Sequence, residues 1–238
     1  MVSLHLIRFD DSLEGMIPHP EAWLDEAEMA RYKRERSRPA RSIFMAGRVA
    51  LKSLIGRRLG LEPRTISIAK GTYGKPHESG GRLGLSLAHT RGMVAVALSS
   101  SDGIGVDIEP ADRTFPDPDI LAKLLLEEDD RTPLLALNEE EKRARILSAF
   151  VQKEAWLKSA ESGMFTSFPA IPITSSAPPY YSATSILFIE ACTHPFLVCA
   201  RSVSPVGLWL RHPVESIESV AFPAMAASGR PERPTLFR

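Results

Sequence analysis

Apolar residues recur along this chain with two spacings, and the change from one to the other marks where strands give way to helices. Residues 2–9 alternate as an opening strand, residues 66–69 as a short one, and 83–87 and 93–98 as two more joined through 88–92. In Gly103-Ile104-Gly105-Val106-Asp107-Ile108-Glu109 the apolar set Ile104, Val106 and Ile108 takes every second place, which is strand spacing. Helical spacing governs 20–33, with Pro20 suited to a first turn. It also governs a segment that Ser37 can cap, in which Phe44, Gly47, Leu51, Leu54 and Ile55 form a stripe ending near Gly60. A helix is expected around 120–126. A longer one starts after Asn138 with Glu139, Glu140 and Glu141 in its first turn, and runs to about Ser162, where Gly163 stops it. Three further strands are expected at 185–190, 196–201 and 206–211. Residues 110–118, rich in proline and aspartate, read as a boundary. The expected division is an N-terminal unit 1–109, a C-terminal unit 110–227 and a flexible tail 228–238. The expected class is α+β, with small, mainly antiparallel sheets and packed helices.

The strand spacing carries chemistry. Residues two apart share a face, so Asp107 and Glu109 point the same way and repel unless a cation sits between them. A hard divalent ion with oxygen ligands, Mg²⁺ foremost, suits that pair; the plain alternative is an acidic solvent face. Phe150, Glu154 and Lys158 are spaced by four and form one stripe of the last helix. Glu154 and Lys158 read either as an ordinary ion pair or as a third carboxylate on the ion, with Lys153 and Lys158 on phosphate. In Gly71-Thr72-Tyr73-Gly74-Lys75-Pro76-His77 two glycines and a proline make a turn, and Lys75 lies where a ligand can approach closely. His89 falls at a strand end, and taken alone reads more readily as structural than as functional.

Charge sharpens the picture. The chain has 238 residues, 44% of them apolar, and a formal net charge of zero, which argues against whole-surface attraction to nucleic acid or membrane. Yet between Arg31 and Arg58 there are ten lysines and arginines against one acid, Glu35. Arg41 and Arg48 lie seven apart on one helical face there, so the segment reads as a landing surface for an anionic ligand or an acidic partner. Two cysteines, Cys192 and Cys199, offer neither a disulfide framework nor metal-ligand spacing. With no long apolar run and no leader pattern, a soluble, cytoplasmic monomer is expected.

Five motifs in order then resemble one family. They are Gly47-Arg48-x-x-Leu51-Lys52, Tyr73-Gly74-Lys75-Pro76, the stretch around His89, Gly105-Val106-Asp107-Ile108-Glu109, and Lys153-Glu154-Ala155-x-x-Lys158. Over roughly residues 31–165 this resembles the larger, pseudo-dimeric 4′-phosphopantetheinyl transferases that activate peptide and polyketide synthases. The resemblance implies two similar α+β halves with the site at their junction. It implies Mg²⁺ on Asp107, Glu109 and Glu154, and coenzyme A phosphates on Lys75, His89, Lys153 and Lys158, with Arg41 and Arg48 matching the basic helix more loosely. It implies transfer of phosphopantetheine to a serine of an apo acyl or peptidyl carrier protein, with Glu154 and Lys158 as catalytic residues. Two positions depart from the family pattern. Ala88 stands where a hydroxyl precedes the histidine, and Phe150 stands where a tryptophan precedes the Lys-Glu pair. Two other readings are a non-catalytic carrier-binding relative and an unrelated Mg²⁺-dependent phosphohydrolase. The latter leaves the Tyr-Gly-Lys-Pro turn and the Lys-Glu-Ala-x-x-Lys helix unexplained.

Overall fold

Strand β5 (Met93–Ser99) shows how the sequence builds the core, because its two faces differ in size. Val94, Val96 and Leu98 point one way, and Met93, Ala95 and Ala97 the other; all are buried. The larger face packs under helix α2 (Arg38–Leu59), with Met45, Leu51 and Ile55. The alanine face meets Ile104, Val106 and Ile108 of β6 (Ile104–Pro110), where small side chains let another layer come close. The computed structural model describes residues 2–8, 19–71, 73–90, 93–100, 103–110, 112–160, 167–171, 184–189, 196–202 and 218–221.

Around β5 a four-stranded sheet forms in the order β4 (Gly84–Thr90), β5, β1 (Val2–Arg8), β9 (Glu218–Ala221). It is antiparallel except for the β1–β9 pair. Strands β2 (Ile68–Lys70) and β3 (Pro76–Glu78) make a separate hairpin. A three-stranded antiparallel sheet has the order β6, β8 (Phe196–Ser202), β7 (Thr184–Ile189). The fold is thus α+β, with small, mostly antiparallel sheets and packed helices. Among the described residues no helix is long and apolar enough to cross a membrane.

Several elements differ from the periodicity reading for identifiable reasons. The expected helix over 20–33 is two pieces, a 3₁₀ turn at Pro20–Ala22 and helix α1 (Glu26–Arg34). Asp25 restarts the chain: its carboxylate accepts from the Glu28 backbone N–H at 2.8 Å, while its own N–H donates to Glu28 Oε2 at 3.2 Å, a reciprocal capping box. Ser37 caps α2 as expected, accepting from the Ala40 N–H at 3.3 Å, and Gly60 ends that helix at φ +68°. After α3 (Pro118–Leu125) come α4 (Glu128–Arg131) and a 3₁₀ turn at Thr132–Ala136, too short for a periodic signal. The strand bearing Asp107 follows β4 and β5 in sequence but is hydrogen-bonded to β8, with Asp107 opposite Cys199. It still runs alongside β4, where the Val106 N–H donates to the buried Ser86 hydroxyl at 3.1 Å. The expected strand 206–211, the helix stop at Gly163 and the tail 228–238 lie outside the described residues.

The basic block is divided: Lys33, Arg34, Arg36, Arg38, Arg57 and Arg58 are exposed, whereas Arg48 and Lys52 are turned inward. Glu28, Arg48 and Lys52 are all buried: Lys52 Nζ lies 2.8 Å from Glu28 Oε2, and Arg48 Nε lies 3.0 Å from Glu28 Oε1, angled off a hydrogen bond. Lys52 also donates to the Trp23 carbonyl at 2.6 Å, and the Arg48 guanidinium sits 5.3 Å from the Phe44 ring centre. Desolvation lowers the Arg48 pKa, and the Glu28 carboxylate partly offsets it.

Candidate active site

Helix α5 (Glu139–Ala160) reaches the site by lying directly on β6. Asn138 starts it through a second capping box, its side chain accepting from the Glu141 N–H at 2.9 Å while its N–H donates to Glu141 Oε2 at 3.1 Å. Its apolar residues bury on two sides: Ile146 and Ala149 pack with Leu125, Leu126 and Leu134, and Leu147, Val151 and Ala155 form a second cluster. The approach to β6 depends on one residue. A Cβ on Gly105 would stand 1.9 Å from the Ala155 carbonyl oxygen and 2.6 Å from the Ser159 nitrogen. Gly105, Asp107 and Glu109 share a strand face, so the contact that requires glycine also turns both carboxylates toward α5.

The strand and helix then exchange charge. The Lys158 ammonium donates to Asp107 Oδ1 at 2.6 Å. Asp107 is 7% exposed, and its Oδ2 is buried without a hydrogen-bond partner among the described residues. Burial raises the Asp107 pKa against the opposing pull of Lys158. Burial, and then repulsion from Asp107, raise the Glu154 pKa as well, while Lys158 and Arg113 oppose the rise. Glu109 is ion-paired with Arg113. His89, at the end of β4, keeps an exposed edge, and its pKa is lowered by surrounding protein mass and by the Lys158 ammonium.

Asp107, Glu154, Lys158 and His89 therefore share one electrostatic neighbourhood, and Glu109 joins it through Arg113. The remaining sequence-predicted residues stand elsewhere in the fold. Lys153, expected on phosphate, is fully buried, and its ammonium donates to the carbonyls of Phe168 at 2.7 Å, Pro169 at 3.3 Å and Ile171 at 2.6 Å. Desolvation brings its pKa down to about 8. Arg48 is held by Glu28, and Arg41 Nη1 donates to the Glu35 carbonyl at the end of α1 at 3.2 Å. Lys75 is half-buried in the turn between β2 and β3, where Gly74 takes φ +81°.

Two residues at the site escaped the sequence reading. Arg113 lies inside the segment that reads as a linker, although it is the only cation between Pro110 and Pro118 and stands four residues after Glu109. Arg31 belongs to the basic block, and its charge acts on both His89 and Lys70. Burial lowers the Lys70 pKa, and Arg31, Arg48 and Arg34 lower it further. Positive potential thus extends from Lys70 past Arg31 to His89 and Lys158. That is a track suited to a ligand with several phosphates.

The carboxylates fit a divalent cation in chemistry. A buried, unpartnered carboxylate oxygen on Asp107 beside a second acid that it repels is the hard-oxygen donor set such an ion takes. Asp107 and Glu109 are each ion-paired with a cation, and among the described residues no three His, Cys, Asp or Glu side chains close into a metal-binding group.

An acid-lined strand under a helix with a third carboxylate and a lysine is suited to phosphoryl chemistry, and the comparisons with known proteins give the class. The model of the 4′-phosphopantetheinyl transferase superfamily matches residues 103–199, which take in all of β6 and α5. The 4′-phosphopantetheinyl transferase HetI of Nostoc sp. is 31% identical over 168 residues, covering 68% of this chain and 70% of that protein. In Synechocystis sp., slr0495, a protein named only provisionally as such a transferase, is 28% identical over 154 residues, 63% of this chain and 61% of its own length. The chain belongs to the 4′-phosphopantetheinyl transferase superfamily and is an enzyme of that kind.

Proposed function

We propose that the protein transfers 4′-phosphopantetheine from coenzyme A to a serine of an apo acyl or peptidyl carrier protein, with Mg²⁺, releasing 3′,5′-ADP. The observation that carries this reading is the buried, unpartnered Oδ2 of Asp107, set against a helix that brings Glu154 and Lys158 to it. In the reaction the serine oxygen forms a bond to the β-phosphorus of coenzyme A, and the bond from that phosphorus to the bridging oxygen of the departing ADP breaks. Asp107, Glu109 and Glu154 would hold the Mg²⁺, which supplies charge neutralisation on the pyrophosphate. Lys158 steadies the developing phosphoryl charge, and Glu154, or a water held by it, takes the serine proton. Arg31 and His89 lie on the positive track and receive further phosphate. Lys153 serves by pinning residues 168–171 to α5.

We read residues 1–109 and 110–227 as the two halves of a pseudo-dimer with this site at their junction. The seat of α5, from the second unit, on β6 at the end of the first, with Lys158 donating to Asp107 across that contact, supports a site at the junction. Incubation with coenzyme A, Mg²⁺ and an apo carrier, followed by intact-mass spectrometry, should add one phosphopantetheine to the carrier. An unmodified carrier across several carrier types would overturn the proposal.

The two helix residues should fail differently. Lys158→Ala is expected to weaken coenzyme A binding and to lower kcat, each by about tenfold, because its charge acts in both ground and transition states. Glu154→Gln keeps shape but loses charge and basicity, so kcat should fall about 10²-fold with coenzyme A affinity within a few-fold of wild type. Equal losses in both parameters for both variants would sink the division of roles.

A pH dependence follows from His89. Its pKa lies below the ordinary histidine value, so the free enzyme carries it neutral near pH 7. Phosphate prefers the imidazolium, so coenzyme A binding should take up a proton there, and affinity should weaken as pH rises from about 5.5 to 8. The ligand's own phosphate titrates in the same range with the opposite sign, so the comparison between proteins isolates His89. In His89→Gln the weakening with pH should be shallower than in wild type, by calorimetry. Identical profiles would remove His89 from the phosphate contacts.

A further inference from the structure

The transfer chemistry above makes no use of Arg113, yet its guanidinium is the most firmly held charge beside the carboxylates. It is ion-paired with Glu109 on β6. It lies 5.1 Å from the ring centre of Phe115 and 4.9 Å from that of Phe150 on α5. Those rings are 6.0 Å apart and tilted by 58°, and both pack against the apolar clusters of α5. A guanidinium set against two aromatic faces while it grips a carboxylate has little freedom left. Lys158 is about as exposed, 29% against 35% for the Arg113 side chain, but among the described residues its ammonium is ion-paired with Asp107 and has no aromatic ring against it.

Counting charge shows why the difference matters. Asp107, Glu109 and Glu154 bring three negative charges, and Lys158 and Arg113 bring two positive ones, leaving one negative. A divalent ion turns that to one positive, which favours a polyphosphate; without the resident cations the acids would hold such an ion far more tightly. Arg113 acts on all three acids, through its ion pair with Glu109 and its field at Asp107 and Glu154.

We propose that Arg113 is a positioning residue that fixes Glu109 and, as the ring-supported counter-ion of the site, sets its divalent-cation affinity by competing with the ion. This rests on reading Asp107, Glu109 and Glu154 as a cation site. It also gives Phe150 a function: the ring on α5 supports the guanidinium, where the resemblance expects a tryptophan.

The test uses Mn²⁺ alone as the probe, with the full chain, no coenzyme A and fixed ionic strength, and reads free Mn²⁺ by electron paramagnetic resonance. Arg113→Met keeps length and apolar contact but removes the charge. Mn²⁺ should bind it about tenfold more tightly than wild type. At saturating Mg²⁺ its kcat should fall about tenfold, because Glu109 is no longer held. A merely structural role would weaken Mn²⁺ binding or leave it alone. Arg113→Lys, which keeps the charge, should stay within about threefold of wild type for Mn²⁺. Unchanged or weaker Mn²⁺ binding in a folded Arg113→Met protein overturns the inference. Should that variant not fold, the Arg113 Nε–Hε resonance of the wild type, identified by its loss in Arg113→Lys, decides the matter. It must shift with Mg²⁺ at the midpoint of metal binding, and a resonance that does not move overturns the inference. If the wild type binds no Mn²⁺, the cation site itself is wrong, and this inference falls with it.

Discussion

Gly105→Ala is expected to destabilise the protein by at least about 3 kcal/mol and to remove activity along with it. The added methyl carbon would meet the Ala155 carbonyl oxygen at 1.9 Å and the Ser159 nitrogen at 2.6 Å. Both are backbone atoms inside a helix, so no rotamer change relieves the clash. Either α5 lifts from β6, or the strand bends and β6 leaves its register with β8. Lifting α5 breaks the packing of Val151 and Ala155 and draws Lys158 away from Asp107, so stability and site fail together. Gly47→Ala is the control. There the new carbon meets only the Leu87 side chain, at 3.3 Å, which can yield, and the helix gains about 1 kcal/mol from losing a glycine. Urea unfolding of the two variants should differ in sign. A Gly105→Ala protein with a wild-type urea midpoint would mean that the helix does not lie on the strand as described.

The sequence encodes faces better than partners, and the site shows both. Alternation in Ile104-Gly105-Val106-Asp107-Ile108-Glu109 is enough to tell that the carboxylates share a face, and four-residue spacing is enough to align Phe150, Glu154 and Lys158. Each is a local property of one element. That the two faces meet depends on Gly105, whose role is visible only once another backbone is present. The same limit explains the cations. Arg48 and Lys52 read as solvent-facing in a basic block because Glu28, which neutralises them, sits on a different helix. Lys153 adjoins Glu154 in sequence, but one residue turns a helix by about 100°, so the two point apart, and the carbonyls that receive Lys153 belong to residues 168–171. The pairing of β6 with β8 spans three helices and strand β7, a separation that alternation alone does not bridge. Ala88, which departs from the family pattern, packs in an apolar cluster with Met93 and Ile108, an environment in which a hydroxyl would need its own partner.

Asp107→Asn should separate chemistry from folding, which Gly105→Ala cannot do. Asparagine keeps the shape at β6, so the apolar face made by Val106 and Ile108 is untouched. The charge it removes is one that burial already disfavours: the Asp107 pKa is raised, so the folded state binds that proton more readily than the unfolded chain. By linkage this carboxylate takes stability away as pH rises through the carboxylate range, and Asp107→Asn should lose that component of the decline. Lys158, partly exposed, can turn its ammonium to water once its partner is neutral. The melting temperature near pH 7 should therefore stay close to wild type. Turnover should not. The variant loses the site carboxylate whose second oxygen is buried and, among the described residues, without a hydrogen bond, and with it the acceptor of the Lys158 ammonium. A fall in kcat on the order of 10³-fold, about 4 kcal/mol of barrier, is expected in the carrier-modification assay. Mn²⁺ binding should weaken in parallel, opposite in sign to the change expected for Arg113→Met, so that the two variants bracket the cation site from its anionic and cationic sides. An Asp107→Asn protein that turns over normally at limiting Mg²⁺ would show that the carboxylate pair of β6 is only a buried acid held by a lysine.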